Sequence, residues 1–200
     1  IADCPAEGTP PTLVETRRPT VVPDSGDVKA LADVINGSRK VAIFAGAGVR
    51  DARAEVLALA ETVGAPIGHS LRGKEWIQYD NPYDVGMTGL LGYGAAHDGI
   101  HGADLLLLIG TDFPYDQFLP DDVRTAQIDI AAERLGRRTS LDLAVHGDVA
   151  STLSALIPQL DRKTDRGFLE DTLAKHNTLM TKVVGAYTDP VKQRTPIHPE

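Results

Sequence analysis

The sequence has one cysteine, Cys4, so no internal disulfide can form and no cysteine cluster exists to hold structural zinc. A reducing, cytoplasmic setting is the simplest reading. Positive charge is not in excess: 20 Lys and Arg against 28 Asp and Glu leave −8. Nucleic-acid surfaces need clustered Lys and Arg, so no nucleic-acid partner is expected. No apolar run approaches the about 20 residues that a bilayer requires. The chain has no initiator Met and no signal peptide at Ile1, and it stops at Thr195-Pro196-Ile197-His198-Pro199-Glu200. A domain cut from a longer protein is therefore expected.

Nucleophiles and metal ligands are also scarce. Ser70 and Ser140 lack the strained elbow of a hydrolase, and no acid–base pair stands out. His97 and His101 have the i, i+4 spacing of a helical metal pair. No acidic base lies between them in the usual pattern, however, and Gly99 and Gly102 weaken the helix, so a metal site is disfavoured.

What is present is rhythm. Residues 1–25 carry Pro5, Pro10, Pro11, Pro19 and Pro23 and read as a linker or arm. Residues 26–187 read as one α/β domain, and 188–200 as a second linker. Asp27 to Asn36 places Val28, Leu31, Ala32 and Ile35 on one helical stripe closed by Gly37. Strands are expected at Val41–Ala45, Ala65–Gly68, Ala103–Ile109, Thr125–Ile130 and Leu141–Val145. Helices are expected at Ala52–Val63, at Val149–Leu160 with Asp148 as its cap, and at Phe168–Tyr187. Apolar strands alternating with helices imply a doubly wound, mostly parallel sheet with helices on both faces.

Ligands of such sheets sit beyond the carboxyl ends of the strands. Strand 41–45 runs into Gly46-Ala47-Gly48, where backbone N–H groups could approach a phosphate; the bland alternative is the tight turn any strand–helix junction needs. Strand 103–109 runs into Gly110-Thr111-Asp112-Phe113-Pro114-Tyr115. Strand 125–130 carries Asp129, a candidate acceptor for a ribose hydroxyl, and strand 141–145 runs into Gly147-Asp148. Asp129 and Asp148 could equally be local caps, and Phe113 and Tyr115 could simply pack. Gly46, Gly48 and Asp51 give GxGxxD rather than a clean dinucleotide fingerprint, and no acidic residue ends the second strand, so ordinary NAD binding is disfavoured. The stretch between the second strand and Ala103, which holds Leu71–Glu75 and Tyr79–Gly92, reads as a loop longer than the ~12–15 residues usual in a compact domain, with Arg72 and Lys74 as candidate pyrophosphate contacts.

Val41–Gly48, Leu71-Arg-Gly-Lys-Glu75, Tyr79-Asp-Asn-Pro-Tyr-Asp-Val-Gly-Met-Thr-Gly-Leu90, Gly110-Thr-Asp-Phe-Pro-Tyr115, Gln127-Ile-Asp-Ile130 and Gly147-Asp148 together resemble the central domain of thiamine-diphosphate-dependent enzymes. The stretch is most like pyruvate oxidase and quinone-dependent pyruvate dehydrogenase, from about Asp27 to Phe168. The resemblance implies a six-stranded parallel sheet that binds FAD. Met87, Thr88, Gly89, Leu90, Gly110, Thr111, Asp112, Phe113 and Pro114 would line the flavin and its phosphates. Gly46 and Gly48 would lie under the pyrophosphate, Asp129 and Ile130 would hold the adenosine, and Asp148 would be nearby.

It further implies flanking domains that bind thiamine diphosphate and Mg2+ and decarboxylate pyruvate, a homotetrameric parent that is cytoplasmic or peripheral at the inner membrane, and a quinone or oxygen as electron acceptor. The chain alone would then be inactive. Three other readings compete: a spacer domain of the same superfamily without a nucleotide, a small regulatory nucleotide-binding module, and a sirtuin-type deacylase. The last is disfavoured because the four zinc cysteines and an Asp-Phe-Arg after the glycine turn are missing.

Overall fold

Two all-apolar runs, Val41–Ala45 (β1) and Leu105–Ile109 (β5), lie side by side at the middle of the sheet, buried at every residue. Burial on both faces is what a central parallel strand demands, and it explains why neither run alternates with polar residues. The computed structural model describes residues 20–188. Of the arm expected over 1–25 and the linker expected over 188–200, residues 1–19 and 189–200 lie outside the described residues, while Ser25 already opens a helix and Thr188 still belongs to one.

The sheet has seven strands in the order β4-β3-β2-β1-β5-β6-β7. The remaining strands are Ile67–His69 (β2), Asp84–Met87 (β3), Tyr93–Gly94 (β4), Arg124–Asp129 (β6) and Leu143–His146 (β7). All neighbours pair in parallel except β3 and β4. The chain walks outward from β1 to β4, then returns to lay β5 on the other side of β1. The switch of direction therefore falls between β1 and β5.

Six strands were expected. The seventh is β4, whose two residues pair antiparallel at the edge. Both β3 and β4 come from the stretch read as a long loop. That stretch also holds two short helices, Lys74–Ile77 (α3) and Ala96–His101 (α4).

One face of the sheet is covered by Ser25–Asn36 (α1), Arg53–Val63 (α2) and Val149–Leu156 (α5). Their apolar stripes meet Val41, Ile43, Leu105, Leu107, Ile109, Ala126 and Ile128 in the main core. Asp24 caps α1 through the Gly26 amide, so the helix starts two residues before the expected Asp27. Asp148 caps α5 as expected, accepting from Ser151 N at 3.0 Å. That helix ends at Leu156, and a 3₁₀ turn over Ile157–Gln159 carries Pro158, whose ring cannot follow an α-helical turn.

The opposite face carries α4 and the long helix Gly167–Thr188 (α6), which crosses β3 and β4. Over β5 and β6 that face is covered by loops, because the β5–β6 and β6–β7 connections contain only 3₁₀ turns, Asp116–Phe118 and Ala132–Arg134. Phe44, Leu106, Leu108, Phe113 and Leu119 form the second core beneath them. No helix among the described residues is long and apolar enough to cross a membrane.

Candidate functional site

The carboxyl ends of β1 and β5 meet at the switch point, and their glycine turns are packed onto each other. A Cβ on Gly46 would lie 2.4 Å from the Gly110 carbonyl oxygen, and one on Gly48 2.6 Å from Gly110 Cα. Gly110 itself has φ +58°. Glycine is thus required on both sides by backbone contact. The Gly46 amide donates to the Ile109 carbonyl and the Gly48 amide to the Gly110 carbonyl, each at 2.9 Å. These two N–H groups, singled out as a phosphate cradle, are engaged within the sheet edge; the glycines supply close approach instead. Gly46 is buried, whereas Gly48 reaches the surface.

Beside this junction the Gly110–Tyr115 turn meets the loop that follows β3. Phe113 is buried, edge-on to Phe44 at 5.0 Å and to Tyr115 at 5.5 Å. Gly89, at φ +112°, sits over the Phe113 ring: a Cβ there would lie 3.1 Å from its Cζ. Met87 and Thr88 are buried, while Leu90 and its neighbour Leu91 are 67% and 68% exposed. Met87, Thr88, Gly89, Gly92, Tyr93 and His97 border a cavity of about 270 Å³. Tyr93 donates to Gln78 at 2.9 Å, and burial, followed by the charge of Asp84, raises its hydroxyl to about 12. His97 stacks on His101 with ring centres 4.0 Å apart, and burial followed by that neighbour lowers its pKa. No cluster of three or more metal-binding side chains occurs among the described residues.

Asp129, the last residue of β6, is 2% exposed. Its Oδ1 accepts from Ala131 N at 2.9 Å, while its buried Oδ2 has no partner. Burial raises its pKa, against the Ala131 amide and the charge of Arg134. An unpaired buried carboxylate oxygen is costly, and no donor among the described residues satisfies this one. Ile130 beside it is 47% exposed. The Gly147 amide donates to the Asp129 carbonyl at 3.0 Å, bringing the end of β7 alongside. Asp148 itself points its Oδ1 into its own helix as a cap.

The remaining predicted residues lie in the same turn as Phe113. Thr111 is buried, Pro114 is exposed, and Asp112 pairs with Arg138 Nε at 2.8 Å and Arg137 Nη1 at 3.2 Å. The hydrogen bond from Arg138 lowers the pKa of Asp112. Of the two proposed basic contacts, Lys74 lies over the Tyr93 ring at 5.2 Å, and Arg72 is exposed.

Sequence reasoning missed two features. Gln127, buried in the middle of β6, donates through Nε2 to the Thr111 carbonyl and accepts at Oε1 from Gly136 N, both at 3.0 Å. It ties the Gly110 turn to the β6–β7 loop; a lone amide between Ala126 and Ile128 was the available signal. The second is the Arg137-Arg138 pair, one of two Arg doublets in the sequence, the other being Arg17-Arg18.

Comparison with known proteins adds the following. A family model described as "Thiamine pyrophosphate enzyme, central domain" matches residues 28–156. An uncharacterized 42.6 kDa protein from Pseudomonas amyloderamosa is 47% identical over 172 residues, covering 86% of this chain and 43% of that one. YdaP of Bacillus subtilis, a proposed thiamine pyrophosphate-containing protein, is 33% identical over 74% of this chain and 26% of its own length. Acetolactate synthase of Mycobacterium leprae is 28% identical over 78% of this chain and 26% of its own length. The chain thus spans less than half the length of these relatives. An X-ray structure of a proposed thiamin diphosphate-dependent enzyme from Mycobacterium smegmatis superposes with a TM-score of 0.64 at 24% identity, over 78% of this chain and 32% of that one.

Proposed function

Because the chain belongs to the central-domain family of thiamine pyrophosphate enzymes, we propose that it is the FAD-binding domain of a flavoenzyme that oxidatively decarboxylates pyruvate or a related 2-oxo acid. Flanking domains would hold thiamine diphosphate and Mg2+ and carry out the decarboxylation. A homotetrameric parent, with a quinone or oxygen as final electron acceptor, completes the proposal. When bound, FAD supplies a two-electron acceptor that can hand electrons onward.

The observation that carries this reading is the unpaired Oδ2 of Asp129, a buried acceptor at the carboxyl end of β6. It fits a ribose hydroxyl, and the other groups lie on the turns and loops that follow β1, β3 and β5. From Asp129, the Gly110–Pro114 turn leads to the Met87–Leu90 loop, where Gly89 leaves the Phe113 ring close to bare backbone. Asp129 and Ile130 would hold adenosine; Thr111, Asp112 and Pro114 would border the phosphates; Met87, Thr88, Gly89 and Leu90 would face the ring system. Gly46 and Gly48 would lie beneath as the floor, since their amides are engaged. Asp148 would act at a distance, by fixing α5 and the end of β7.

The test uses the full-length protein, purified without added flavin. A flavin absorption band and pyruvate-dependent dye reduction are expected. Asp129→Ala should lower flavin occupancy several-fold; unchanged occupancy would remove that residue's assignment. A colourless, dye-inactive protein would instead favour the spacer reading.

A further inference from the structure

At the ligand-facing edge, the two glycine-turn amides that would ordinarily meet a phosphate already donate to backbone carbonyls. Something else must neutralise a diphosphate there. Arg50 lies over the Trp76 ring at 4.7 Å and Lys74 over the Tyr93 ring at 5.2 Å, so each is held against an aromatic face. The β6–β7 loop, however, delivers Arg137 and Arg138 onto the single carboxylate of Asp112, in the turn that follows β5. Arg138 uses its Nε and Arg137 its Nη1. Among the described residues neither guanidinium makes another side-chain hydrogen bond, so most of the five N–H donors of each fork remain available. The loop that carries them is held by Gln127, which receives the Gly136 amide and donates to Thr111. Arg134 adds charge felt by both Asp112 and Asp129.

We infer that Arg137 and Arg138 form a clamp for the diphosphate of an adenine dinucleotide, with Asp112 as the positioning residue that holds the two forks side by side. The inference rests on the dinucleotide reading above. Guanidinium forks match phosphate oxygens in pairs, and two of them on one carboxylate leave a net positive charge at the turn. Arg138 also borders a cleft of about 420 Å³, but Asp116 and Asp121 line that cleft and make it a poor host for phosphate. The anion is therefore assigned to the Asp112 side. Glu133 is the acidic neighbour within the same loop, and Arg134 offsets it.

The experiment measures FAD, ADP, AMP and adenosine binding to the full-length protein by calorimetry, after removal of bound flavin. Arg137 is 55% exposed in its side chain, so Arg137→Gln should fold normally, as a thermal melt will check. It should weaken ADP about tenfold, AMP less, and adenosine not at all; Arg137→Lys should recover part of the loss. Asp112→Asn should also weaken ADP, although it removes a negative charge, because the forks lose their anchor. Tighter ADP binding in that variant would overturn the positioning role. Unchanged ADP affinity in both Arg137→Gln and Arg138→Gln would overturn the clamp while leaving the flavin reading intact. Loss of ADP in Arg72→Gln instead would do the same. A wild-type protein that binds neither FAD nor ADP would overturn both.

Discussion

At the scale of single residues, Asp129 holds opposing demands. Its buried carboxylate is raised in pKa by desolvation, so ionisation is harder in the folded chain than in the unfolded one. A raised acid binds its proton more tightly when folded; stability is therefore lost as pH climbs from the unfolded pKa through the folded one. Asp129→Asn removes that loss. Without ligand, the variant is expected to melt higher than wild type at pH 7, by an amount that shrinks toward pH 4, while retaining less flavin in the full-length protein. Equal melting temperatures at pH 7 would mean that the carboxylate is better solvated than its 2% exposure indicates. Gly48 makes the converse case. An added methyl would press on Gly110 Cα at 2.6 Å, backbone against backbone, with no flexible side chain to yield. Gly48→Ala should destabilise the domain by about 1–3 kcal/mol, read from urea unfolding. The glycine pattern was legible in the sequence, but its reason was not. Sequence alone cannot distinguish a glycine that admits a ligand from one that admits a neighbouring turn.

At the scale of elements, the β-strands with continuous apolar runs were plain from composition, because burial on both faces leaves no room for polar residues. The strands that escaped, β3 and the edge strand β4, are short pieces whose residues (Asp84, Gly86, Tyr93, Gly94) carry no apolar run. They are fixed by tertiary contact. Gly86 and Gly94 form a backbone pair with the His176 ring of α6 laid against them, a contact far away in the chain that no local pattern announces. The start of α6 is also tied down at long range. Glu61 of α2 accepts from Tyr83 at 2.6 Å and pairs with Arg162 and Arg166, joining α2, the segment before β3 and the approach to α6. The Tyr83 hydrogen bond, followed by that from Arg162, lowers the Glu61 carboxyl to about 2. A depressed acid contributes stability above its unfolded pKa and loses it as pH falls through the folded value. The clamp should hold at pH 5 and above and fade between about 4.5 and 2. Glu61→Gln should lower the melting temperature at pH 7 and flatten the acid limb over that window; an unchanged acid limb would place the pH sensitivity elsewhere. Asp148→Ala, which removes the α5 cap, should cost about 1 kcal/mol.

At the scale of the whole molecule, the carboxyl edge of the sheet is unusually apolar where it faces solvent. Leu71, Leu90 and Leu91 are each more than half exposed, and Ile130 nearly so. They follow β2, β3 and β6, at the strand ends where the candidate site lies, although Val22, Tyr79 and Val183 are exposed elsewhere. Large exposed apolar groups gathered in one region mark a surface that is covered in the working assembly. The chain spans 43% of one relative and 26% of two others, which leaves ample protein in those relatives to provide a cover. If the proposed multidomain FAD-binding parent is right, the 200-residue chain alone should bind FAD at least about tenfold more weakly than that parent, because a ligand touching only one wall recovers less of the free energy lost on immobilisation. Under the proposed assignment, the affinity that remains should sit mainly in the adenosine diphosphate end, which Asp129 would hold. Titrating the isolated chain with FAD, FMN and ADP separates these contributions. FAD and ADP binding with similar strength while FMN binds poorly would place the ring-binding wall outside this domain. FAD far exceeding ADP would show that the Met87–Leu90 loop grips the ring unaided, and the rim leucines would then belong to the ligand site itself.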